Sequence, residues 1–255
     1  MVCVFDCETI PDLELAKKHY DITQTDEIMI CEEIFDYQEE KTGSSFLPLP
    51  FHKVVAISGV IADEYGNFIR VGTFKSDNEE GIIRDFFNFI DRKKPKLISF
   101  NGRNFDLPML MIRALKYNFS IPAYFDNSNK WENYRARYSE NFHIDLMEVL
   151  GNYGAVRGLK LDVISQMAGL PGKFDVHGDE VYKLYFDGEL KKIEEYCESD
   201  VLNTYWLWLK YEVLKGNLLK SDYYSILLEM SKKLEEKKSY TKIFREYIQK
   251  ELENA

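Results

Sequence analysis

Two carboxylates stand two residues apart in the N-terminal run VCVFDCET: Asp6 and Glu8. On a strand, residues i and i+2 share a face, so both acids would leave an apolar segment in the same direction. Buried like charges repel, and each loses its hydration. A divalent cation relieves both problems, and hard oxygen ligands suit Mg²⁺ or Mn²⁺. The plain alternative is a strand that ends at Asp6 with its acids in water; the pair alone does not choose. A third acid, Asp106, stands in ISFNGRNFDLPML, where an apolar run passes through a loop into a helical pattern two residues before Pro108. Taken alone it reads first as a helix cap. It also fits a group beyond a strand end, where open α/β sheets gather ligands. In EEYCESDVLNTYWLWLK, Tyr196 and Asp200 are i, i+4 neighbours on one helical face. They border an apolar stripe of Leu190, Ile193, Cys197, Val201, Tyr205 and Trp208. An isolated pair of this kind is usually a surface tyrosine beside a surface acid.

The elements that must position these groups follow from periodicity and punctuation. Residues 2–7 read as a strand buried on both faces. Residues 53–63 and 67–74 read as two strands joined by a tight turn. Residues 81–93 carry apolar side chains at helical spacing and stop before Pro95. A buried strand is expected at 96–100, a helix at 107–117 with Pro108 in its first turn, and a short strand at FHID. Helices are expected at 159–170, 189–214, 221–238 and 240–253. Residues 11–50 read as a long, mostly acidic insertion without a core of domain size. The order predicts an α/β domain, a mixed sheet covered by helices. A composition shift near 215 divides the chain into a domain at 1–214 and a C-terminal helical extension at 215–255. The extension's stripe of Tyr240, Ile243, Phe244, Tyr247, Ile248 and Leu252 requires burial. Docking on its own domain is the default and a dimer contact the alternative.

The totals bound the function. With 255 residues, 45 % hydrophobic, the chain can bury a sizeable core. A formal net charge of -10 argues against nonspecific duplex binding, which needs a broad basic surface. Cys3 and Cys7 would lie ~13 Å apart along a strand, too far for a disulfide. No CxxC pair, basic leader or apolar run of ~20 residues is present, so the reading is a cytoplasmic protein with reduced thiols and no membrane partner.

Taken together, FDCET, FNGRNFDLPML and YCESD resemble, in order and residue type, the three motifs of the DEDD 3′–5′ exonuclease superfamily in its tyrosine-containing branch. The stretch from 1 to about 210 is similar to stand-alone exonucleases that look like the proofreading domain of family-B DNA polymerases; 255 residues leave no room for a polymerase. FLPLPFHKVVAIS, HIDLMEVLGNYGA and YCESDVLNTYWLWL carry the same likeness. The resemblance implies a ribonuclease-H-like fold, a mixed five-stranded sheet with the first strand central and flanked by helices. It also implies two divalent metal ions, Mg or Mn. Asp6 would bridge them, Glu8 and Asp200 would complete the site of the ion that activates water, and Asp106 would hold the second. Tyr196 would orient the attacking water. The implied substrate is the 3′ end of single-stranded nucleic acid, DNA ahead of RNA, with Asn101 and Phe105 lining the terminal nucleotide. The competing readings are a catalytically silent exonuclease-fold binding module and a structural protein whose acids coincide by chance. All four acids and the tyrosine are present, which weighs for the enzyme.

Other segments are less specific. WENYRARY (131–138) reads as a helix with its rings on the core and Arg135 and Arg137 in water, or as a stacking surface for a single strand. Arg157 and Lys160 in VRGLK could hold phosphates or lie on a solvated turn. His143 and His177 read as core or surface residues rather than metal ligands, and Cys7 and Cys197 as core.

Overall fold

The computed structural model describes residues 1–172 and 178–253, so His177 lies outside the described residues. Five strands form one sheet: β1 (Val2–Pro11), β2 (His52–Ala62), β3 (Phe68–Thr73), β4 (Lys96–Ser99) and β5 (His143–Asp145). Their order is β3-β2-β1-β4-β5. β1 is central, antiparallel to β2 and parallel to β4, and β5 is parallel to β4. This is the mixed, helix-flanked sheet expected of a ribonuclease-H-like domain.

The helices are α1 (Leu13–Tyr20), α2 (Glu27–Thr42), α3 (Glu79–Lys93), α4 (Asp106–Leu115), α5 (Pro122–Phe125), α6 (Leu146–Leu150), α7 (Leu161–Met167), α8 (Val181–Phe186), α9 (Leu190–Leu214), α10 (Lys220–Lys233) and α11 (Thr241–Glu253). Alternation in β1 divides them into layers. Val2 and Val4 pack on the side of α9, whereas Cys3, Phe5 and Cys7 pack on the side of α3 and α4. β1 is longer than the expected 2–7, because β2 pairs with it as far as Pro11, with a register shift between Glu8 and Thr9. The two acids therefore lie inside the strand and not at its end.

Two expectations need correction, and the 11–50 insertion, which holds no core of domain size, gains two helices that were not among the expected elements. Asp12 and Asp26 cap α1 and α2 by accepting from the Leu15 and Met29 amides at 3.1 and 2.9 Å. Gly43 closes α2 at φ 77°, and Ala16, Ile30, Ile34, Leu47 and Phe51 bury a small cluster. Residues 131–138 form turns, not a helix; Tyr134 is buried, with its hydroxyl donating to Pro95 O at 2.8 Å, while Trp131 and Tyr138 are exposed. Leu190 is exposed because α9 only enters the core at Ile193.

The C-terminal helices dock on their own domain. Tyr223, Leu227, Tyr240, Phe244 and Ile248 join the cluster that contains Val4 and Trp206. Trp206 Nε1 donates to Tyr223 OH at 2.8 Å, and Tyr240 OH donates to the buried Glu198 carboxylate at 2.8 Å. No helix among the described residues is long and apolar enough to cross a membrane.

Candidate active site

β1 and α9 bring the first and third sequence motifs together. Asp6 is half-buried and Glu8 is buried, on the face of β1 that meets α9. Tyr196, Cys197 and Asp200 are buried on α9 opposite them, so neither pair is a surface feature. Cys197 Sγ lies 3.4 Å from Asp6 O. One carboxylate oxygen each from Asp6 and Glu8 and the Cys197 sulfur lie within 4.8 Å of one another. Burial, with the charges of Asp200, Glu8 and Asp6 adding to it, pushes the Tyr196 phenol far above its usual range. At neutral pH it is protonated.

Asp106 approaches from the other layer. It is the first residue of α4; the N-cap position is Phe105, so Asp106 is not the cap that its spacing suggests. The Asp106 side chain is buried, and its Oδ1 has no hydrogen-bond partner among the described residues. Burial pushes its carboxyl up to about 7, with the nearby Asp145 charge adding and the Cys7 thiol opposing. Cys7 lies in the core on the far face of β1 from Asp6 and Glu8, yet it feels the charges of both Asp106 and Asp6. Asp106 thus adjoins the cluster through the residue that separates the two strand acids.

The loop carrying Asp106 is pinned by residues that sequence reasoning missed. Asp145, at the end of β5, accepts from the Asn101 and Arg103 amides, both at 2.9 Å, and from the Met147 amide that opens α6. Arg103 pairs with buried Glu148 at 3.0 Å. Asn101 takes φ 72°, and a Cβ at Gly102 would meet Ser99 Cβ at 2.6 Å, so only glycine passes there. The one signal available was the acid before LMEV, an N-cap pattern. Phe105 meets His52 and Phe46 edge-on at 5.0 and 5.6 Å between centroids. His52 Nε2 donates to Leu47 O at 3.1 Å, which leaves Nδ1 to accept from Thr9 Oγ1 at 2.9 Å. This ring group therefore stands against the residue after Glu8. His143 is core: its Nε2 pairs with Ser99 Oγ at 2.8 Å, and burial lowers its pKa so far that the ring is neutral.

Residues 44–251 match the model of a family described as a predicted 3′–5′ exonuclease related to the exonuclease domain of PolB. The chain belongs to this family. The match begins after β1 and does not include Asp6 and Glu8. A DNA polymerase of Archaeoglobus fulgidus is 26 % identical over 169 residues, which is 65 % of this chain and 21 % of that protein. DNA polymerase 1 of Sulfurisphaera ohwakuensis is 41 % identical over 160 residues, 58 % of this chain and 16 % of its own length. This exonuclease-family chain thus spans about a fifth or less of these curated relatives. The family B DNA polymerase of Pyrobaculum calidifontis superposes with a TM-score of 0.53 over 97 % of this chain and 26 % of its own. At 16 % identity that likeness is one of fold.

The donor set of this PolB-related exonuclease fold suits divalent ions. Buried or half-buried carboxylates converge, and Asp106 Oδ1 is an acceptor without a protein donor among the described residues. Cys197 is the softer member, and its thiol, pushed well above the usual range by burial, faces the Asp6 carbonyl.

Proposed function

We propose that the protein is a metal-dependent 3′–5′ exonuclease that hydrolyses phosphodiester bonds at single-stranded 3′ ends, DNA ahead of RNA. The observation that carries this is the meeting of Asp6 and Glu8 on the central strand with Tyr196 and Asp200 on α9, inside a chain of this family. Asp6, Glu8, Asp106 and Asp200 are the residues that would hold two ions, Mg or Mn. Such ions supply positive charge against the phosphate and activate water. The protein's own part is to hold donors and solvent in place. Tyr196, kept neutral, offers an O–H that orients water and does not serve as a base. Asn101 and Phe105 line the terminal nucleotide, where the Phe105 ring offers a flat apolar face. Catalysis belongs to 1–214, with 215–255 supporting α9 from behind. The preference for DNA rests on relatives that are DNA polymerases. Four buried, free cysteines support a reducing, cytoplasmic setting.

The test is a denaturing gel of 5′-labelled DNA and RNA oligomers with Mg²⁺, Mn²⁺ or EDTA, beside Asp6→Ala. A metal-dependent ladder shortening from the 3′ end, lost in the variant, is the expected result. Intact oligomers from protein that still gains thermal stability with Mn²⁺ would instead mark a silent binding module.

A further inference from the structure

WENYRARY and VRGLK are separate in sequence and meet in space. Arg137 and Arg157 line one cavity of about 170 Å³ with Asn104, Glu148, Gly154 and Gly158. Glu148 is buried at its base and takes Arg137 at 2.8 Å on one carboxylate oxygen and Arg103 at 3.0 Å on the other. One carboxylate therefore faces two guanidinium groups. Arg157 adds a third, and among the described residues it enters no ion pair. Two further acids are already engaged: Asp145 accepts from the Arg103 and Met147 amides at 2.9 and 3.0 Å, and Glu140 is taken by Lys215 at 2.5 Å and by Tyr211 OH at 3.0 Å. A chain of net charge -10 thus keeps a local surplus of positive charge here.

The wall of the cavity is a backbone turn suited to an anion. Asn152, Tyr153, Gly154 and Gly158 take φ of 48°, 53°, 100° and 76°. Among the described residues, the amides of Arg157, Gly158 and Leu159 donate to no acceptor. A Cβ at Gly154 or Gly158 would meet nothing within 4 Å, so the mouth is open. Successive unengaged amides beside cations form an anion-binding concavity. Next to the lining residue Arg137, Tyr138 is 74 % exposed, edge-on to Tyr153 at 4.9 Å, with the Arg137 guanidinium 6.0 Å from its ring. Asn104 lies two residues before Asp106 and donates to the Asn101 side chain at 3.3 Å, so the cavity opens beside the loop that carries the site.

We propose that this cavity seats a backbone phosphate of the nucleic-acid strand upstream of its 3′ end, held by Arg157 and Arg137, with Tyr138 stacking the adjoining base. Cations along the backbone and aromatic faces for the bases are how single strands are held without sequence readout. The inference rests on the exonuclease reading, which places the 3′ end at Asp106.

The experiment is fluorescence anisotropy of a labelled 12-nucleotide single strand in EDTA, with wild type, Arg157→Ala and Arg157→Lys, over a range of NaCl. Arg157→Ala is expected to weaken binding roughly three- to tenfold and to lower the slope of log Kd against log salt by about 0.7. Arg157→Lys should restore the slope. A strand carrying one neutral methylphosphonate, moved linkage by linkage, should bind wild type more weakly at one position and Arg157→Ala equally at all. Identical Kd and slope in wild type and Arg157→Ala overturn the proposal, as does a wild type that binds no strand. Absence of hydrolysis by wild type, with the Arg157 effect on binding intact, overturns the exonuclease reading alone.

Discussion

Burial works against the ionisation of Asp106. Its carboxyl, pushed up to about 7 by burial, holds a proton in the folded chain between about pH 4 and 7, where the unfolded chain has released its own. The folded state binds more protons in that window, so the metal-free protein loses stability as pH rises through it. Asp106→Asn, uncharged throughout, should flatten this trend. Thermal melts in EDTA from pH 5 to 8 should show wild type falling by several degrees more than the variant, at about 2–4 °C per kcal/mol. Added Mn²⁺ should raise the Tm of wild type more than that of Asp106→Asn. Tyr196→Phe should keep the Mn²⁺ shift and lose about 10²-fold in hydrolysis rate. The sequence singled out the five candidate residues by type and spacing, and β1 and α9 do bring Asp6, Glu8, Tyr196 and Asp200 together. Asp145 and Glu148 were not singled out, because their work is to receive amides and guanidinium groups from a loop some 45 residues away in the chain, such as Asn101 and Arg103.

At the scale of elements, one buried ionic group ties four segments together. Arg113 of α4 reaches Asp12 at 2.6 Å, Glu79 of α3 at 2.5 Å and Pro50 O at 3.2 Å. Asp12 follows β1 directly and caps α1, so this group fixes how the strand of Asp6 and Glu8 leaves the sheet. Arg113→Ala would leave two buried carboxylates unpaired and should cost about 3–5 kcal/mol, measurable by urea denaturation. Strands and long helices were legible where periodicity was strong, as in α3, whose Ile82, Ile83, Phe86, Phe87 and Ile90 line one face. α1 and α2 were passed over because acids surround their few apolar positions. Yet Asp26 and Gly43 stood at the two ends of α2 as start and stop signals. The 131–138 segment went wrong for the opposite reason: its rings invite a helix, but only Tyr134 is buried.

Across the whole molecule, the composition shift near 215 is not a break in packing. Tyr223, Met230, Tyr240 and Phe244 share one cluster with Val2 and Val4 of the central strand. Unfolding should therefore be a single event, with tryptophan fluorescence and far-UV circular dichroism giving coincident urea transitions; a separate early fluorescence change would show the C-terminal helices releasing on their own. Phe244→Ala should cost about 3–5 kcal/mol in the same experiment. The layering has a kinetic consequence. Residues 196–209 are buried on every side, between the sheet and the C-terminal helices. Their amides should be the last to trade protium for deuterium, opening only when the whole molecule does. Tyr196 and Asp200 are thus mounted on the slowest-breathing backbone in the protein. In the proposed exonuclease, accommodation of each successive nucleotide falls to the exposed loops around Asn104 and Arg157, and hydrogen exchange there should be faster by orders of magnitude.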